Sequence, residues 1–193
     1  MIHKSYFEIV EQFLGDFSKE VYGRELIGRV SLSQKSIALA LNALEKDGIL
    51  TSRKRGNMKF FKLNNQHGRI RDVLAMAEIS RKTRFLEKHN MIANLFKNDE
   101  RIVGIFGSYA NGTEKKDSDL DVFIVGERIK EDYASKGRIY DLDVSVKYFS
   151  IEEFKELLKK KNPLIREISE NHVLMFNSEQ FISLLWMDFY GFD

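Results

Sequence analysis

Between Tyr6 and Phe17 the apolar residues Tyr6, Ile9, Val10, Phe13, Leu14 and Phe17 recur at steps of three and four. That spacing predicts a helix over residues 4–17 with one buried face. A second short helical stretch is predicted over 22–30. Ser33 then offers its side-chain oxygen as an N-cap, Ile37, Leu41 and Leu44 carry a third helix to Asp47, and Gly48 stops it. Two strand-like runs, 49–52 and 58–63, flank the basic segment Arg53-Lys54-Arg55-Gly56-Asn57, which reads as the turn of a hairpin. Residues 66–97 return to helical spacing through Ile70, Val73, Leu74, Ala77, Phe85, Leu86, Ile92, Leu95 and Phe96. They predict a connecting helix followed by the first helix of a second domain.

From residue 101 the pattern changes. Arg101-Ile102-Val103-Gly104-Ile105-Phe106 is β-branched and aromatic, and runs into Gly107-Ser108-Tyr109-Ala110-Asn111-Gly112, a strand ending in a glycine turn. In Ser118-Asp119-Leu120-Asp121-Val122-Phe123-Ile124-Val125, acids alternate with apolar residues, so one strand face carries both carboxylates. Two carboxylates a strand period apart repel one another, which favours a cation between them; Mg²⁺ is the natural candidate. A third strand, 141–149, offers Asp141 and Asp143 on one face. Amphipathic helices are predicted over 151–161 and Pro163–Glu170, then a short strand over 173–176. Trp186, Phe189, Tyr190 and Phe192 make the tail aromatic, as befits a helix packed on the core.

Composition narrows the classes. A chain of 193 residues suits one small and one medium domain, divided here as 1–65, a connection over 66–97, and 98–193. With 43% hydrophobic residues and one proline it can bury cores. No apolar run is long enough to span a bilayer, and no secretory segment follows Met1, so a cytoplasmic protein without membrane contact is expected. The absence of Cys removes disulfides, thiol catalysis and Cys-ligated zinc, and His3, His67, His89 and His172 lack ligand spacing, so any metal is held by oxygen. Charge is uneven. Residues 1–65 carry 11 Lys/Arg against 7 Asp/Glu, 66–97 carry 7 against 3, and 98–193 carry 13 against 19. A basic front suits a polyanion; an acidic back suits divalent cations that meet a phosphate-bearing substrate.

Over roughly residues 5–64 the order of helices and hairpin, with Leu32-Ser33-Gln34-Lys35-Ser36-Ile37 leading through Leu41 and Leu44 to Gly48-Ile49-Leu50, resembles MarR-like winged helix-turn-helix regulators. The resemblance implies that the third helix enters the major groove of DNA, with Gln34, Lys35 and Ser36 reaching bases or phosphates and Arg53, Lys54 and Arg55 lying on the backbone. Ala38-Leu39-Ala40 departs from that pattern, offering apolar contact but no hydrogen bonds to base edges.

Phe106-Gly107-Ser108-Tyr109-Ala110-Asn111-Gly112 and Ser118-Asp119-Leu120-Asp121 resemble the signature of the nucleotidyltransferases of the DNA polymerase beta superfamily, over about residues 85–176 and nearest to the minimal prokaryotic type. The fold implied is α+β: a winged helix followed by an α/β domain with a small mixed sheet flanked by helices. The activity implied is Mg²⁺-dependent transfer of a nucleoside monophosphate, AMP from ATP before other triphosphates, to a hydroxyl acceptor on a small molecule or on a protein such as a HEPN-type toxin. Asp119, Asp121 and a third acid would hold two Mg²⁺ ions, while Gly107, Ser108, Lys115 and Lys116 would meet the phosphates. Counting back from Phe149-Ser150-Ile151-Glu152-Glu153-Phe154, which resembles the family's strand-to-helix exit, puts the third acid at Asp143, with Asp141 as the alternative. Asn111 stands where relatives often have Arg, and the stretch 122–142 is short for an intervening helix. The alternative reading is a DNA-binding regulator whose nucleotidyltransferase domain senses nucleotide or is inactive. By analogy with winged-helix proteins, either reading admits a homodimer.

Overall fold

Ser33 caps the third predicted helix as its position suggests: its Oγ accepts the Ser36 backbone N–H at 3.2 Å, and the helix runs from Gln34 to Lys46 before Gly48 turns the chain at φ +74°. The structure is a computed structural model that describes residues 4–128 and 133–191; Phe192 of the aromatic tail and His3 lie outside the described residues. It forms two compact units, Met1–Ala77 and Glu78–Asp193.

In chain order the first unit holds α1 (Lys4–Val10), β1 (Val21–Tyr22), α2 (Gln34–Lys46), β2 (Leu50–Arg55) and β3 (Met58–Leu63), and α3 (Ile70–Lys88) begins in it. Its antiparallel strands are ordered β1-β3-β2. Ile9, Phe13, Val21, Leu26, Ile37, Leu41, Leu44, Leu50 and Leu63 are among the residues of its core. Buried Glu8 accepts the backbone N–H of Ser31 at 2.8 Å and also its hydroxyl, which pins the loop leading into α2.

Three local expectations are corrected. The helix expected over 4–17 stops at Val10 and continues as a 3₁₀ turn, Glu11–Phe13, because Leu14 is extended and Gly15 has φ +84°; Phe13 and Phe17 are buried without a continuous helix. The helix expected over 22–30 is replaced by β1, which pairs with Phe60 and Phe61, and a 3₁₀ turn over Gly23–Leu26, since Val21 and Tyr22 fit a pleated sheet better than a helix. Arg53, Lys54 and Arg55 lie in β2 rather than in a turn. The ladder continues to the pair Arg55 and Met58, leaving Gly56 (φ +59°) and Asn57 as a two-residue connection.

The second unit contains α4 (Asn90–Leu95), β4 (Ile102–Phe106), α5 (Gly107–Asn111), β5 (Leu120–Val125), α6 (Tyr133–Gly137), β6 (Val144–Phe149), α7 (Ile151–Lys159), α8 (Pro163–Glu170), β7 (His172–Phe176) and α9 (Ser178–Tyr190). Its sheet is ordered β6-β5-β4-β7; β5 and β6 run parallel, and β4 is antiparallel to both β5 and β7. The connection over 122–142 does accommodate a helix, α6, followed by a 3₁₀ turn. Among the described residues no helix is long and apolar enough to cross a membrane.

Side-chain alternation divides the sheet. Val103, Ile105, Leu120, Val122, Ile124 and Val173 face a core shared with Ile92, Leu95 and Tyr133. Gly104, Phe106, Phe123 and His172 face the other way, where Phe123 meets Phe181 at 5.6 Å between ring centroids and His172 meets Phe181 at 4.8 Å. On this second face His172 Nε2 and Glu78 Oε1 share a 2.8 Å hydrogen bond with neither side chain exposed to solvent. Gly104 has no substitute. A Cβ there would overlap the ring of its cross-strand partner Phe123 and come within 3.2 Å of the Val173 carbonyl oxygen. Gly104→Ala is therefore expected to lose about 3 kcal/mol of stability by overpacking a filled core, measured by urea unfolding of the two proteins side by side.

Candidate active site

The end of β4 and the start of β5 meet because Phe106 pairs with Asp121. One residue later Gly107 takes φ +70° and opens α5, so the expected glycine turn is also a single turn of helix. A Cβ on Gly107 would stand 2.6 Å from Asp121 Oδ2. Glycine is thus required twice, for its left-handed backbone and for the approach of the carboxylate. The backbone N–H groups opening a helix have no partner within it, which leaves the start of α5 with donors beside an acid. The carbonyl of half-buried Ser108 accepts the Thr113 N–H at 2.9 Å. Lys115 and Lys116 are exposed on the loop that follows. There Lys115 N donates to Ser118 Oγ at 2.8 Å and Ser118 N to the Lys115 carbonyl at 3.0 Å, a closed turn that leads the chain into Asp119.

The β5/β6 register fixes the remaining acids. Leu120 is in register with Val144 and its N–H donates to the Asp143 carbonyl at 2.8 Å, so Asp119 and Asp143 immediately precede two neighbouring parallel strands. Asp121 stands across from Ser145. Asp141 is off the strand, closing a 3₁₀ turn in the left-handed conformation at φ 52°, which an Asp tolerates better than most residues. Period-two alternation from Asp143 adds Ser145 and Lys147 to the same face of β6.

Asp121 is half-buried, and its carboxyl titrates above the ordinary range. Burial contributes most, followed by the negative charges of Asp119 and of Glu167 on α8; Lys147 pulls the other way. Neither Glu167 nor Lys147 was singled out from the sequence. Glu167 carries no signal there beyond membership of a solvated helix face, whereas the alternation 143, 145, 147 could have revealed Lys147. Among the described residues no group of three or more Asp, Glu or His side chains closes around one point suited to a metal ion. The acids nonetheless have the donor chemistry that a hard cation takes: carboxylate oxygens, two of them exposed, with mutual repulsion felt at Asp121.

In the first unit Gln34 and Lys35 are exposed on the first turn of α2, and Ser36 bonds to Ser33 through its hydroxyl at 3.0 Å. Leu39 is 62% exposed on the same helix. Lys54 is exposed, but Arg53 and Arg55 both reach Glu20, at 2.6 and 2.9 Å, and Lys59 reaches Glu45. Glu20, which the sequence did not mark, neutralises much of the basic hairpin; it precedes Arg53 and Arg55 by more than thirty residues.

A carboxyl whose folded-state pKa is raised stabilises the fold below its ordinary range, and that contribution is lost as the pH rises through the raised value. At neutral pH an ionised Asp121 is therefore a liability to the fold. Asp121→Asn is expected to raise the melting temperature by about 1 to 3 °C at pH 7.5 in chelator-containing buffer, with the difference vanishing near pH 3.5. Thermal unfolding at the two pH values checks it.

No curated protein and no solved structure matches the chain. A family model, described as a nucleotidyltransferase domain, matches residues 90–186. That span runs from α4 through most of α9 and includes the Gly107-Ser108 turn, both Asp119 and Asp121, and Asp141 and Asp143 ahead of the β6 strand. It takes in half of all 193 residues, and on it the chain belongs to the nucleotidyltransferase domain family.

Proposed function

We propose that the second unit transfers a nucleoside monophosphate, AMP from ATP, to a hydroxyl acceptor. The observation that carries this reading is the seating of the Asp121 carboxylate against the Cβ-less Gly107, with Asp119 and Asp143 one residue ahead of adjacent parallel strands. Gly107 and Ser108 receive the β- and γ-phosphates on backbone N–H groups and the Ser108 hydroxyl, and Lys115 and Lys116 neutralise them from the exposed loop. Asp119, Asp121 and Asp143 hold divalent cations, two Mg²⁺ ions in this reading. Bound there, such ions would supply charge neutralisation for both the attacking and the leaving oxygen. Asp143 accepts the proton of the acceptor hydroxyl as that oxygen bonds to the α-phosphorus; the bond from the α-phosphorus to the bridging oxygen breaks and pyrophosphate leaves.

The first unit we read as a winged helix, on the order of its elements and the β2/β3 hairpin beside α2. Nucleic-acid binding is the second reading, favoured by exposed Gln34, Lys35 and Lys54, and limited by Glu20, which holds Arg53 and Arg55. In this reading the second unit senses nucleotide or is inactive. The acceptor, a small molecule or a protein such as a HEPN-type toxin, and the homodimer are further proposals resting on the resemblance alone.

Incubation with α-labelled ATP, Mg²⁺ and host extract is expected to label an acceptor. Asp119→Asn/Asp121→Asn should abolish transfer and Asp143→Asn should slow it by about 10² to 10⁴. Nucleotide that binds but never donates label, with any of the four triphosphates, would sink the enzyme reading and leave the sensing regulator. For the first unit, Glu20→Gln should release both guanidinium groups. Affinity for duplex DNA should then rise, with a dependence on log salt concentration steeper by up to about 1.8, as two added phosphate contacts require. Unchanged binding across a salt series would remove the hairpin from any nucleic-acid interface.

A further inference from the structure

On α2, Gln34, Ala38 and Asn42 stand about one helical turn apart in a single exposed column, so that the smallest of the three leaves a notch between two amides. Across from them, period two puts Lys59 and Phe61 on one face of β3. That face meets α2: Lys59 Nζ is 2.5 Å from Glu45 Oε2 and 3.5 Å from Asn42 Oδ1, and stands 4.9 Å from the centre of the Phe61 ring. Between helix and hairpin lies a hollow of about 390 Å³ within the first unit. Tyr22-Gly23-Arg24 at the end of β1, and Asn57 and Met58 at the hairpin, complete its walls.

Its chemistry is mixed in a particular way. Leu41 and Phe61, 1% and 4% exposed, supply apolar surface at depth, while Met58 is 49% exposed and offers a flexible, polarisable side chain at the rim. Gln34, Asn42 and Asn57 each carry an amide donor beside an amide acceptor. Lys59 is neutralised by Glu45, whereas Arg24 is exposed and, among the described residues, no acid reaches it. A ligand that fits has a flat apolar face, an edge of alternating donors and acceptors, and a negative charge close by. An aliphatic ligand leaves three amides unused, and a simple anion gains nothing from the apolar surface.

We propose that this hollow captures an unpaired base of a single-stranded nucleic acid, its face on Leu41, Phe61 and Met58, its edge on the amides, and a neighbouring phosphate at Arg24. The proposal deepens the nucleic-acid reading of the first unit, on which it rests, and is independent of the transfer reaction of the second. A duplex presents the wrong surface to these groups. Its grooves show base edges alone, with the faces covered by stacking, and Ala38 and Leu39 give such edges no hydrogen bond. Drawing a base out of a duplex costs its pairing and stacking, a cost that a single strand largely escapes. The apolar stretch that suits α2 poorly to a major groove is thus the feature that opens a place for a base.

Binding of the full chain to labelled 12-nucleotide probes, followed by fluorescence anisotropy in chelator-containing buffer, tests this. The probes are one mixed sequence as single-stranded DNA, as single-stranded RNA and as duplex DNA, and an abasic strand of equal length. At least one single strand should bind about 10-fold or more tightly than both the duplex and the abasic strand, in line with the stacking of one base. Ala38→Leu, at an exposed helical position that a good helix former tolerates, fills the notch without changing charge. It should weaken the single strand by about 10-fold, spare the abasic strand and leave the dependence on log salt concentration unchanged. Gln34→Ala and Asn42→Ala should each cost about threefold with the same selectivity. Arg24→Gln should instead weaken base-bearing and abasic strands alike and lower the salt dependence by about 0.7. Equal binding of single and abasic strands, or no effect of Ala38→Leu, would overturn the base site. So would AMP that displaces the strand with an affinity equal to the strand's own, which would make the hollow a site for free nucleotide. A tighter grip on duplex that survives Ala38→Leu would leave only the duplex form of the nucleic-acid reading. Wild type that binds none of the probes at low salt would remove that reading altogether, a result seen before any variant is made.

Discussion

The pairing of Phe106 with Asp121 across β4 and β5 is the contact on which the candidate site depends. It sets a carboxylate against Gly107, which has no Cβ to exclude it, and it does so with backbone hydrogen bonds rather than with side-chain contacts that could rearrange. A slip of one residue would carry Asp121 to the apolar face, among Val122 and Ile124, and remove the site and the core together. The acid is therefore tied to the fold's own register. That also explains why it is carried in a strained electrostatic setting, crowded by Asp119 and Glu167: the strand cannot place it elsewhere.

Much of this was legible in the sequence, for physical reasons that differ by element. Strand period two is unambiguous when acids alternate with Leu, Val and Ile, so 118–125 revealed both its element and the face that carries its carboxylates. Ser33 and Gly48 bounded α2 because capping is a local matter of hydrogen bonds and backbone sign. What failed was non-local. Val21 and Tyr22 become strand because Phe60 and Phe61, some forty residues on, are there to pair with them. The Arg53-Lys54-Arg55 segment looked like a turn on charge alone, yet a ladder that continues to Met58 claimed it.

The same divide runs through the site. Asp119, Asp121 and the Gly-Ser turn are close in sequence and stood out together, whereas Glu167 approaches from α8 and Glu20 reaches the hairpin across a long loop of chain. A salt bridge between distant residues has no sequence signature. The different settings of Asp141 and Asp143 also needed geometry, since period two puts both on one face only if the strand is regular through 141, and the left-handed backbone there breaks it.

Gly104 and Phe123 deserve to be considered as one choice rather than two. The ring fills the space that a side chain at 104 would need, so neither position can vary alone: a larger residue at 104 is compatible with this sheet only where 123 has shrunk, and a smaller residue at 123 leaves a void that a residue at 104 could fill. Lineages that share the fold would be expected to change the two together, and a pair drifting in step at these positions would trace the sheet's pairing through time even where the acids beside it had been replaced.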